Sequence, residues 1–93
     1  MTVEIIDAMT PEGIKNFLTL CGWNLDKSGT HLTKTGPRHS FRITFKQTCV
    51  RIEAKSLVKV PSQWVKIGGS FYKNIKVHDD GRMQIGGDFF KRV

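Results

Sequence analysis

Between Phe41 and Ala54 the chain alternates apolar and polar residues twice, with Gln47-Thr48 between the two runs. Phe41, Ile43 and Phe45 alternate with Arg42, Thr44 and Lys46; Val50, Ile52 and Ala54 alternate with Cys49, Arg51 and Glu53. A period of two is the pattern of a strand with one buried face. If Gln47-Thr48 is a two-residue turn, Phe45 pairs with Val50, Ile43 with Ile52 and Phe41 with Ala54. All the apolar groups then share one side. The other side pairs Thr44 with Arg51 and Arg42 with Glu53, the latter a favourable cross-strand charge pair. A slip of one residue would turn the whole apolar set towards water. Gln-Thr is chemically poor for a tight turn, and a longer loop would shift this register.

Upstream the period is helical. Thr10 is a good N-cap and Pro11 suits the first helical position, where its missing N–H costs nothing. Glu12 complements the positive end of the helix dipole. Ile14, Phe17, Leu18 and Cys21 recur at helical spacing on one face, and Gly22 is a natural stop. This spacing predicts an amphipathic helix over 11–21. Val3–Ile6 reads as a short first strand. After Gly22, Trp23 and Leu25 alternate with polar residues, Lys27-Ser28-Gly29 reads as a turn, His31–Thr35 as a strand and Gly36-Pro37 as a loop.

The second half carries an internal echo. Ile67-Gly68-Gly69-Ser70-Phe71-Tyr72-Lys73 returns 18 residues later as Ile85-Gly86-Gly87-Asp88-Phe89-Phe90-Lys91. Two copies of this length cannot make a solenoid, so the echo belongs to a meander. Residues 55–63 read as an irregular connection, Trp64–Ile67 as a short strand and Gly68-Gly69 as a turn or bulge. Phe71, Ile75 and Val77 mark another strand. Asp79-Asp80-Gly81 reads as a three-residue loop with Gly81 left-handed, pairing Val77 with Met83 and Ile75 with Ile85. Parity with Ile75 and Val77 turns Phe71 inward and Tyr72 outward. Trp64 reads as core, with an exposed contact as the other reading. The fold class expected is α+β: one N-terminal amphipathic helix packed on a twisted antiparallel β-meander of about five to six strands.

A chain of 93 residues is one domain, residues 1–93, with a small core. No apolar run is long enough for a transmembrane helix, and Met1-Thr2-Val3-Glu4 does not resemble the start of a signal peptide. The expectation is a cytoplasmic protein without membrane contact. Cys21 and Cys49 belong to no Cys-x-x-Cys pair and read as two free thiols, one buried, a bridge being the other possibility. His31, His39 and His78 fall at no ligand spacing with them, so neither a metal nor a cofactor is expected.

Charge is unevenly placed. Residues 1–26 hold Glu4, Asp7, Glu12 and Asp26 against Lys15, a balance of −3. The remaining chain sets fourteen Lys and Arg against Glu53, Asp79, Asp80 and Asp88, a balance of +10. Positive charge confined to one part is the electrostatic footprint of a polyanion binder, and the alternative is a solvated face that keeps the sheet soluble. The candidate nucleic-acid contacts are Arg38, Arg42, Lys46 and Arg51 about the outward face of the hairpin. Lys73, Lys76 and Arg82 join them beside an outward Tyr72 that would stack on an unpaired base. The leading expectation is a small non-enzymatic protein that binds DNA or RNA, a regulator being one form of it. Rings and cations are also enriched at protein interfaces, so an interaction module or inhibitor docking on an acidic protein surface is the second class.

Residues 14–45 resemble in outline the small HicA-type ribonuclease toxins, whose double-stranded-RNA-binding-like fold runs helix, Gly-Trp, strand, Gly-Ser-His, strand. The matching elements are Ile14-Lys15-Asn16-Phe17-Leu18, Gly22-Trp23 and Ser28-Gly29-Thr30-His31. The resemblance implies His31 as a catalytic group and a second helix after the third strand. At that point Cys49–Ala54 carries a strand pattern instead.

Overall fold

The helix begins where its cap residues place it. In the computed structural model, which describes residues 10–59 and 62–92, helix α1 spans Pro11–Leu20. The Gly13 N–H donates to Thr10 Oγ1 at 3.0 Å, satisfying one of the donors that a helix start leaves open. Cys21 caps the other end, and the ammonium of Lys34 reaches its carbonyl at 3.4 Å. That cation stands where the helix dipole is negative and the last turn has no basic residue of its own. The expected strand at Val3–Ile6 lies outside the described residues.

Five strands follow in one antiparallel sheet, in sequence order: β1 (Asn24–Leu25), β2 (His31–Thr35), β3 (His39–Phe45), β4 (Cys49–Ser56) and β5 (Val65–Phe71). The β3–β4 register is the one that the alternation predicts, with Phe45 opposite Val50, Ile43 opposite Ile52, Phe41 opposite Ala54 and Arg42 opposite Glu53. The Lys46 N–H donates to the Cys49 carbonyl at 2.8 Å, so Gln47-Thr48 is the tip. Neither tip residue has positive φ, so this turn is not one of the left-handed hairpin types. The ladder on both sides supplies what the turn chemistry lacks.

β5 runs through both glycines instead of turning at them. Its pairing with β4 shifts by one residue, with Ile52 opposite Gly68 and Glu53 opposite Lys66, so that Ile67 is the extra residue of a bulge. A 3-10 turn at Tyr72–Asn74 then takes the chain out of the sheet. Among the described residues the meander, expected with about five to six strands, has five in this sheet. The remaining strands, β6 (Lys76–Val77), β7 (Met83–Ile85) and β8 (Asp88–Phe90), form a separate three-stranded sheet. Its first hairpin has the expected register: Val77 faces Met83, His78 N–H donates to Arg82 O at 2.8 Å, and Gly81 has φ +88°. No helix among the described residues is long and apolar enough to cross a membrane.

Helix and small sheet share one core with the inner face of the large sheet. Ile14, Leu18 and Cys21 meet Leu32, Ile43, Val50 and Ile52 from the large sheet and Ile75, Met83 and Ile85 from the small one. Trp23 is buried and meets the edge of Phe90 at 5.9 Å between ring centroids. Ten helical residues cannot cover five strands, and the second sheet covers much of what the helix leaves. Of the expected helical face, Phe17 is only half-buried, with the Arg92 guanidinium 5.5 Å from its ring centre.

The two copies of the repeat have different structures and meet at their glycines. The first copy continues through bulged β5, whereas the second turns at Gly86-Gly87 between β7 and β8. A Cβ on Gly86 would lie 2.6 Å from the Gly69 carbonyl oxygen, and one on Gly69 would lie 2.5 Å from the Val50 carbonyl oxygen. Backbones approach here more closely than any side chain permits.

Ile43 has no exposed surface. Ile43→Ala is expected to cost about 2–5 kcal/mol in urea unfolding, the usual range for truncating a core aliphatic. Gly86→Ala is expected to lower the melting temperature, because it combines a positive φ with a backbone collision. Gly87→Ala, with nothing within 4 Å of its Cβ, is expected to change stability by less than about 0.5 kcal/mol. Equal effects of the two glycine changes would contradict the close contact between sheets.

Candidate functional site

Strand parity that buries Phe41, Ile43, Val50 and Ile52 sends Arg42, Thr44, Arg51 and Glu53 to the opposite, outer face of the large sheet. β2 adds His31 opposite Thr44, and β5 adds Lys66 opposite Glu53. Glu53 is 7% exposed and is the only buried charged residue among the described ones. An ionised group so placed needs partners. Arg42 gives Glu53 Oε1 two donors, Nε and Nη2, each at 3.0 Å. Thr44 Oγ1 donates to the same oxygen at 3.3 Å, and His31 Nδ1 lies 3.1 Å from Thr44 Oγ1.

The two arginines are held differently. Arg42 is committed to Glu53 on one side and on the other lies over the Trp64 ring, 4.4 Å from its centre. Lys55 stands 5.8 Å from the same ring centre. Among the described residues Arg51 has only a looser ion pair, Nε to Glu53 Oε2 at 3.6 Å, and that buried Nε finds no hydrogen-bond partner there. Its side chain is 40% exposed, against 27% for Arg42. More of Arg51 than of Arg42 is therefore open to another group. Beside it a hollow of about 530 Å³ opens, lined by Lys46, Cys49, Arg51, Lys66, Phe71 and Asn74 among others.

The expected contact residues divide into three groups. Arg42, Arg51 and Lys46 come together on the outer face. Arg38 sits in the turn at the other end of β3 from Lys46, where its carbonyl accepts from Leu57 N–H at 2.8 Å. Lys73 is exposed in the 3-10 turn, while Lys76 and Arg82 belong to the small sheet. Arg82 Nε is held by Asp80 Oδ2 at 2.7 Å, and its guanidinium lies 4.6 Å from the centre of the Phe89 ring. Hydrogen bonding from the Arg82 backbone N–H, opposed by some desolvation and reinforced by the guanidinium, holds the Asp80 carboxyl below its usual range.

Two ring assignments are corrected. Tyr72, expected outward, packs against the core, and its hydroxyl donates to the Lys46 carbonyl at 2.6 Å. Burial pushes its phenol pKa up, and the neighbouring Cys49 acts in the same direction. Phe71, expected inward, is 54% exposed and stands opposite Cys49 on the outer face. Parity counted back from Ile75 crosses the 3-10 turn, where alternation is lost; parity counted from β4 places Phe71 outward. Trp64, read as core, is half-buried beside Arg42 and Lys55.

Lys66 and Phe71 are the site residues that the sequence reasoning missed. The bulge at Ile67 hides their shared face, since it puts two residues instead of one between Lys66 and the next outward position. Both cysteines are free thiols, Cys21 buried under the inner face and Cys49 half-buried on the outer one. Burial raises the Cys21 thiol pKa, against the opposing pull of Lys34 and Arg92.

Glu53→Ala is expected to cost about 1–3 kcal/mol, because it strands donors of Arg42 and Thr44 at a half-buried position. Lys46→Ala, an exposed residue, is expected to stay within about 0.5 kcal/mol of the parent. Urea unfolding of both variants checks this, and equal midpoints would mean that Glu53 does not organise the face.

Comparisons with protein families, with curated proteins and with solved structures return no match to this chain.

Proposed function

We propose that this protein is a small, non-enzymatic nucleic-acid-binding protein that holds phosphates on the outer face of its large sheet. One observation carries the reading: Arg51, Lys46 and Lys66 line a single hollow in which Arg51 is only loosely paired. Several cations facing a polyanion release counterions together, and that release drives association. Glu53 does not cancel this charge, because Arg42 neutralises it within the face. The rings of Trp64 and Phe71 stand on the same side and add surfaces on which bases stack. Arg42 acts in this reading as an organiser of the face as much as a contact.

Salt titrations test the reading. Arg51→Ala and Lys66→Ala should each weaken binding to single- and double-stranded DNA or RNA and reduce the log–log salt slope by roughly 0.7–0.9. Their folding should remain that of the parent. Absence of binding at low salt, where attraction is strongest, would refute the proposal. Capture of an acidic protein by the same face would then assign the cations to a protein partner.

A second reading rests on His31. Thr44 donates to Glu53, so its oxygen is left to accept from His31 Nδ1–H, an arrangement that turns Nε2 to the other side of the ring. An oriented imidazole on the same sheet face as Arg42 and Arg51 is what a ribonuclease base would require there. The helix and three strands over residues 11–45 follow the order of the HicA-type toxins, whereas β4 stands where their second helix would come. RNA cleavage by the parent that is lost in His31→Ala, with binding kept, would establish this reading over the first. No cleavage by the parent would exclude it.

A further inference from the structure

We infer that the hollow at the β4–β5 edge is a site for one unpaired nucleotide, so that the protein prefers single strands to duplexes. This inference rests on the proposed function and specifies the substrate of the same face. The hollow measures about 530 Å³, within the range of about 300–1,000 Å³ typical of small-ligand sites. Its chemistry is asymmetric. Lys46, Arg51 and Lys66 supply three cations, and among the described residues no carboxylate lines it. Arg51 Nε lies 3.6 Å from Glu53 Oε2 with no hydrogen-bond partner among the described residues, and the side chain as a whole is 40% exposed. Three cations outnumber the one carboxylate paired with them, Glu53, and such an excess forms a cradle for a phosphate, not for a peptide or a sugar alone.

The base has a separate place. Phe71 lies opposite Cys49 on the outer face, is 54% exposed and lines the same hollow. A large exposed ring beside a phosphate cradle provides a stacking surface. Asn74, in the 3-10 turn at the end of β5, lines the hollow too and brings an amide able both to donate and to accept. Within a duplex both faces of a base are already stacked, so a ring set into a hollow reaches only unpaired bases. The hollow owes its position to the backbone. Gly69, opposite Arg51, carries no side chain, and the bulge at Ile67 keeps Lys66 on the outward side.

Cys49 is a built-in reporter, since it lines the hollow and is half-buried, while Cys21 is buried in the core. The experiment measures iodoacetamide alkylation of the two thiols in the full chain, alone and with an oligothymidylate, an oligouridylate or a duplex of equal length. Fluorescence anisotropy gives the affinities. Either single strand is expected to slow alkylation of Cys49 and the duplex to leave it unchanged, with Cys21 unreactive throughout. Phe71→Ala is expected to lower single-strand affinity about 5- to 150-fold, the equivalent of ~1–3 kcal/mol for one stacked base, and to change duplex affinity by less than about twofold. Phe71→Tyr keeps the ring and is expected to keep the affinity. Circular dichroism confirms that the variants fold. If the strands bind but Cys49 stays fully reactive, or if Phe71→Ala weakens strand and duplex alike or neither, the nucleotide site is overturned and the reading of the basic face stands. If nothing binds at low salt, both fall.

Discussion

The β3–β4 ladder is the constraint on which everything else depends. Its register puts Ile43 and Ile52 side by side on one surface and Arg42 and Glu53 side by side on the other. Side chains alternate strictly along a strand, so a slip of one residue would exchange the two surfaces. The helix would lose the apolar floor it packs on, and Glu53 would be buried among aliphatic groups without a cation. The core and the basic face are thus two consequences of one pairing. Burial of Ile43, Val50 and Ile52 under α1 and the small sheet holds that pairing in place, even though the Gln47-Thr48 tip contributes little turn preference of its own.

Glycines decide how the second sheet sits on the first. The Gly69 carbonyl oxygen would lie 2.6 Å from a Cβ on Gly86, and Asp88 Oδ2 would lie 2.8 Å from a Cβ on Gly68. Contacts this close let the β7–β8 turn press against β5, and Ile75, Met83 and Ile85 complete the core from there. The repeat is therefore not two copies of one structural unit. It supplies a pair of side-chain-free positions to each of two elements that must touch, together with rings that part ways: Phe71 to the outer face, Phe90 to Trp23 and the core.

Electrostatics on the outer face follow from unequal commitment. Glu53 is nearly inaccessible to water and draws two short donors from Arg42, whose other side is covered by Trp64. A carboxylate satisfied in this way fixes one guanidinium and leaves the second, on Arg51, with a partner too distant for a hydrogen bond. One acid thus organises the face and leaves most of its positive charge unspent. Lys46 at the hairpin tip and Lys66 beside the bulge extend that charge around the hollow.

Local chemistry and periodicity determined much of this protein by themselves. Thr10 and Pro11 set the helix start, the alternation from Phe41 to Ala54 set the central hairpin and its two faces, and Gly81 set the β6–β7 loop. Each depends on neighbours in the chain or on a period that a few residues display. Tertiary structure alone decided the split into two sheets, the outward turn of Phe71, the tethering of Tyr72 to Lys46 and the place of Trp64 over Arg42. These depend on where a bulge and a 3-10 turn interrupt the alternation. Their positions are selected by which backbones can approach at Gly69 and Gly86 and by how much of the inner face the helix leaves uncovered, quantities that exist only once distant segments have packed.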